Sequence, residues 1–435
     1  MSRLRVAQAL LSVLNGRECP RNGKPGVLRL LTAVFLLTLV PAFAAEPALP
    51  GRAEIDATMQ ELSNITGFPV RHPVSFESIT RDKVNQFLQD RIKEVVKPEE
   101  LQAEERTLKK FGFVPADFDL KKTTIDLLTE QAAAFYDFHR KKLFIADWVA
   151  AEMRNVALVH ELAHALADQN YSLEKFTKKG QKDSEKSLAR QAVVEGQASW
   201  LMSEVMARRM GRTLNNQQLA REVLTSASDP SSGQYPVFDS APLYLRETLL
   251  FPYTHGQQFQ QAVYNRSGKP AFAELFRRPP VSSQQILHPD LYFHASEPVS
   301  SRLPHSPKGM RRIVEGSLGE LDHSILLRQY TTKEAADEVS PHWRGAAYRL
   351  FESKADKRLI LFYASEWSDP EIAKRFFALY QVVLAHKWKS MQVTSRSDSR
   401  VTGRGDDGYF LLTLDGSAVS SQEGWSSPVL TGSPR

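Results

Sequence analysis

The chain has 435 residues, 42% hydrophobic and 24% charged, with 22 Gly and 24 Pro. Those figures exclude collagen-like, disordered and multi-span membrane classes, and the length suffices for two or three domains with real cores. The formal charge of +6 suggests a nucleic-acid or membrane-surface partner until the charges are located.

Six basic residues (Arg3, Arg5, Arg17, Arg21, Lys24, Arg29) and one acid (Glu18) lie in positions 1–44. The other 50 basic and 49 acidic residues leave a net of only +1. No nucleic-acid partner is therefore expected. Behind the basic flank come an apolar run at 30–40 and then Pro41-Ala42-Phe43-Ala44-Ala45. This is the pattern of a secretory signal peptide over 1–44, cleaved after Ala44. The run is too short to cross about 30 Å of hydrocarbon, so no stable membrane span is expected after cleavage. A periplasmic or secreted protein follows. The single cysteine, Cys19, falls in this leader. The remaining chain has no disulfide to lean on and must be held by its core, by a metal, or by both.

From residue 54 to about 112 the pattern is helical, with Val84, Phe87, Leu88 and Ile92 at three- and four-residue spacing and a break at Pro98. Ala134-Phe135-Tyr136-Asp137 and Lys142-Leu143-Phe144-Ile145-Ala146 read as two short strands about a polar turn. Residues 148–169 contain no Gly or Pro and predict a buried helix. A polar connector over 170–185 leads to a second helix over 186–209, closed by Gly211. A loop is expected over 226–242, a helix from 243, a break at Pro279-Pro280, and a loop-rich boundary over 296–308. Beyond it, strands are expected at 346–351, 359–363 and 409–414, with a helix over 370–386. The domains are thus expected at 45–308 and 309–415, the second a small α+β unit, before a Ser-, Gly- and Pro-rich disordered tail over 416–435.

The predicted buried helix carries His160-Glu161-Leu162-Ala163-His164. Four residues are slightly more than one turn, so both imidazoles leave one face about 6 Å apart along the axis. They can grip one Zn2+, with Glu161, rotated by about 100°, beside an open coordination position. Two imidazoles and a carboxylate among Val156, Leu158, Val159, Leu162 and Leu166 cost several kcal/mol unless paired or metal-bound. Asp168, on the same stripe, is about 12 Å from His160 along the axis and too far to share that metal, though it could orient a ligand. A third histidine further along the helix is excluded, because position 170 is Asn. Glu195, an isolated acid in the next helix, is the better third ligand. Gly196 beside it costs a helix about 1 kcal/mol relative to Ala and marks a close helix approach.

These residues resemble the gluzincins of the thermolysin-like peptidase superfamily, and more closely a group of exported bacterial proteins within it. The shared segments are Phe135-Tyr136-Asp137, the metal helix running into Asp168-Gln169, Val194 to Ala198 with its Glu-Gly pair, Phe251-Pro252-Tyr253 with Gly256, Pro279 to Ser282, and Leu287-His288-Pro289. The 30 residues between His164 and Glu195 exceed the short linker of thermolysin itself. The resemblance implies an α+β protein: a mainly helical gluzincin-like metallopeptidase domain with a small edge sheet, then a small α+β domain. It implies zinc on His160, His164 and Glu195, Glu161 as general base, and a peptide or protein substrate paired near Phe135 to Asp137. Tyr253, His255 and His288 are candidate oxyanion donors, with Tyr253 and His288 preferred. Two other classes compete: a non-proteolytic zinc-containing or metal-free cell-envelope binding protein, and a hydrolase of non-peptide amides.

Overall fold

A computed structural model describes residues 50–428 except 96, 132–133 and 227–234. The expected leader, 1–44, and the last seven positions lie outside the described residues, as do positions 227–234 of the loop expected at 226–242.

The first part is helical around a small sheet. Its elements are α1 (Arg52–Thr66), β1 (Ser75–Ile79), α2 (Arg81–Val95), α3 (Pro98–Phe111), α4 (Leu120–Gln131), β2 (Ala134–Asp137), β3 (Lys142–Ala146), α5 (Ala151–Tyr171) and α6 (Leu173–Lys178). They continue with α7 (Ser184–Arg209), α8 (Gln217–Ser226), α9 (Pro236–Ser240), α10 (Leu243–Ser267), α11 (Ala271–Arg277), α12 (Ser283–Leu287) and α13 (Pro289–Phe293). The β2–β3 hairpin is where the sequence placed it. Its antiparallel register sets Phe135 opposite Phe144 and Tyr136 opposite Leu143. The sheet gains a third strand that periodicity had assigned to a helix: β1 runs parallel to β3 and pairs Phe76 with Leu143. The order β1-β3-β2 leaves the outer edge of β2 free to face α5.

The second part is larger than expected. It comprises β4 (Met310–Gly316), α14 (Glu320–Tyr330), α15 (Lys333–Val339), β5 (Trp343–Ser353), β6 (Leu359–Trp367), α16 (Pro370–Lys387), β7 (Met391–Ser397), β8 (Arg400–Gly405), β9 (Gly408–Asp415) and β10 (Ala418–Trp425). Its strands form one seven-stranded antiparallel sheet in the order β4-β5-β6-β10-β9-β8-β7. The expected tail is thereby corrected over 418–425. These residues form an interior strand between β6 and β9, burying Val419, Ser421 and Glu423 on one face. The Ser-rich composition misled because the serines alternate along a strand; Ser421 even bonds inside the sheet, to Glu423 at 2.9 Å.

The two parts share one core. Phe111, the last residue of α3, makes edge-to-face contacts at 5.7 Å with both Tyr348 of β5 and Tyr363 of β6. Among the described residues no helix is long and apolar enough to cross a membrane.

Candidate metal centre

Helix α5 is buried over most of its length, with Leu158, Val159, Leu162 and Leu166 each at 2% exposure or less. The turn-plus spacing therefore points His160 and His164 into the interior together. Helix α7 crosses α5 and brings in Glu195. The Nε2 atoms of the two histidines are 3.0 Å apart, and Glu195 Oε2 lies 3.4 Å from that of His160 and 3.3 Å from that of His164. All three residues, and Glu161, are at most 1% exposed.

Those separations can be compared with what a shared ion demands. Four-coordinate zinc with ligand bonds of about 2.0–2.1 Å spaces neighbouring donors about 3.3–3.4 Å apart. The observed triangle has that size. With both imidazoles in the tautomer that leaves Nε2 free, two ring nitrogens and a carboxylate oxygen would crowd three lone pairs together, an arrangement that a cation relieves. Burial also presses both imidazoles toward the neutral, ligating form: it lowers His160 to about 4, against the Glu195 hydrogen bond, and His164 to about 3. His160 Nδ1, Glu161 Oε1 and Glu195 Oε1 are buried without a hydrogen-bond partner among the described residues. Nitrogen and carboxylate donors in this number fit zinc, although other divalent transition metals accept the same set.

The close helix approach expected at the glycine beside Glu195 is present, and the helix it meets is α10. A Cβ on Gly196 would stand 2.1 Å from the carbonyl carbon of Gly256, and a Cβ on Gly256 would stand 2.4 Å from the Ala192 oxygen. The two helices therefore cross backbone against backbone. That crossing places Tyr253, about one turn before Gly256, on the cluster. The Tyr253 ring stacks on His160 with centroids 6.0 Å apart, and its phenol is close enough to Glu195 to favour the ionised carboxylate.

Glu161 faces the hairpin. Its Oε2 accepts the backbone N–H of Tyr136 at 2.8 Å, a donor on the free edge of β2. Burial, then the nearby Glu195, push its carboxyl well above the usual range, opposed by that amide. Asp168 also works on the hairpin rather than on a histidine ring nitrogen. It accepts from Tyr136 Oη at 3.2 Å, Lys141 Nζ at 2.5 Å and Leu173 N at 3.0 Å. Gln169 continues the tie, bonding the backbone of Arg71 at 2.8 Å and of His72 at 2.9 Å. The contributions of the Tyr136 amide and Lys141 were not legible in the sequence, although the Phe-Tyr-Asp segment and the Asp-Gln pair marked the places.

Of the other candidates, His288 lies between α12 and α13, where its Nε2 is 2.8 Å from Glu320 Oε1 on α14. The structure gives it that partner rather than one in the His–Glu group. His255 lies against Phe251, ring centroids 5.2 Å apart.

A family described as a domain of unknown function (DUF8575) matches residues 308–431, which encloses the seven-stranded sheet and leaves α1 to α13 unmatched. No curated protein and no solved structure matches the chain.

Proposed function

We propose that the protein is an exported zinc metallopeptidase that hydrolyses peptide bonds. The observation that supports this most is the convergence of His160, His164 and Glu195 at 3.0–3.4 Å, with Glu161 as a fourth buried polar group beside them. Zinc held there would supply Lewis acidity toward water and a peptide carbonyl. Glu161 would take the proton from the attacking water and return it to the leaving nitrogen. Tyr253, stacked on His160 and facing Glu195, would help to hold these ligands in place, and its phenol could donate to a developing oxyanion. The free edge of β2 would pair with an extended peptide once the Tyr136 amide leaves Glu161.

One observation favours a second reading. Every member of the cluster is at most 1% exposed, which suits a metal held for structure in a non-proteolytic envelope protein. Metal content, together with cleavage of a mixed peptide library, separates the two. Wild type is expected to carry zinc and cleave, and Glu161→Gln to keep zinc while losing at least about a hundredfold in rate. Zinc without cleavage selects the structural reading, and undiminished cleavage by Glu161→Gln removes the proposed base.

A further inference from the structure

Far along the chain from the metal centre, a cavity of about 600 Å³ opens where α3 meets the second part. That is the size of a small-molecule site, and such sites favour domain junctions. Six cations line it: Arg106, Lys109, Lys110, Arg358, Lys387 and Lys389. The only two lining acids are already committed. Asp406 accepts the backbone amides of Lys389 at 2.6 Å and Ser390 at 3.0 Å, and Asp407 Oδ2 accepts from Lys110 at 2.8 Å and Trp388 at 3.3 Å.

Two of the cations are not surface lysines. The side chains of Lys110 and Lys387 are 5% and 2% exposed. Lys387 spends its donors on Glu423 at 2.5 Å and on the Lys110 carbonyl at 3.3 Å. Among the described residues Lys110 Nζ, with three donors, bonds Asp407 alone, so two of its N–H groups have no acceptor there. Burial lowers the Lys110 pKa despite Asp407, the sign of an ammonium short of compensation. Between the cations the wall is apolar, formed by Val114, Pro115, Leu359 and Trp388.

We propose that this cavity binds an amphipathic anion, an apolar chain or ring carrying a carboxylate or phosphate. Its head group bonds the free N–H groups of Lys110 and is drawn in by Arg106 and Lys389, while its body lies on Trp388 and Leu359. The site is independent of the metal centre and of the reaction proposed there.

Calorimetric titration of the full chain with octanoate and, separately, with inorganic phosphate tests this. The expected result is saturable one-site binding of octanoate, weakened about tenfold in Arg106→Gln/Lys389→Gln, verified as folded by circular dichroism because Arg106 also pairs with Glu352 at 3.4 Å. Lys110→Met, verified as folded by circular dichroism, is expected to weaken it further. Phosphate binding with the same sensitivity shows that the charge alone suffices; silence toward phosphate shows that the apolar wall is required. Absence of saturable binding by both probes, or binding that the double variant leaves unchanged, overturns the proposal.

Discussion

The side chains of Lys387 and Glu423 in the second part are nearly as buried as those of His160, His164 and Glu195 in the first, yet their atoms are treated differently. Glu423 accepts from Lys387 at 2.5 Å on one oxygen and from Tyr380 and Ser421, both at 2.9 Å, on the other. Each charge has its complement and each carboxylate oxygen at least one donor, as a buried ion pair requires if it is not to destabilise the fold. The His–Glu group has lone pairs facing one another and three polar atoms with no partner among the described residues. The difference separates a network completed by the chain itself from one that is completed from outside.

The largest expected effect tests the first half of this comparison. Lys387→Met leaves Glu423 charged in the interior and is expected to cost about 3–5 kcal/mol in urea unfolding. Adding Glu423→Leu should recover much of that loss. A single variant as stable as wild type would mean that the network is ornamental. The second half predicts a linkage of about 4 kcal/mol: with zinc about a thousandfold above its dissociation constant, a chelator should lower stability by that amount. His160→Ala should abolish the difference, while Lys387→Met should keep it. Equal stability with and without chelator in wild type would deny the cluster its outside partner.

The same contrast governs what could be read in advance. His160 and His164 stand slightly more than one helical turn apart with Glu161 between them, so spacing alone placed the two histidines on one face. Glu195 was legible as a lone acid in an apolar stretch. The Lys387–Glu423 pair joins a helix end to a strand read as a tail, and nothing local in Ala418 to Trp425 announces that partner. β1 was missed for a related reason. Ser75–Ile79 becomes a strand by parallel pairing to β3, a long-range contact that helical periodicity on either side concealed. The Gly196 reading gave the device without the neighbour, because a close approach between helices names no partner from sequence.

That approach gives a smaller test. Gly196→Ala inserts a methyl group against the Gly256 backbone, which cannot rotate away as a side chain could. The expected cost is about 1–3 kcal/mol in thermal unfolding. Tyr253 should be displaced from His160 at the same time, visible as weaker zinc retention. Unchanged zinc affinity alongside lowered stability would detach Tyr253 from the centre.

The effect that grows only gradually, with pH, lies at the junction between the two regions, where Glu185 is buried at the start of α7 beneath Ser283. Its Oε2 accepts from the Ser283 amide and hydroxyl, both at 2.8 Å, but no cation is paired with it among the described residues. Burial, then the charge of Asp322, raise its pKa from 4.5 to about 8. The folded state therefore keeps a proton that the unfolded chain releases between those values. Unfolding in that window frees protons, so rising pH favours the unfolded state. Glu185 is expected to reduce stability from pH 4.5 toward 8, by at most about 1.4 kcal/mol per pH unit. Gln keeps an acceptor for Ser283 without the proton. Glu185→Gln should accordingly flatten the curve, matching wild type near pH 4.5 and exceeding it near pH 8 in chemical denaturation. Parallel curves for the two proteins would place the Glu185 charge in contact with a compensating group and make this junction a second completed network.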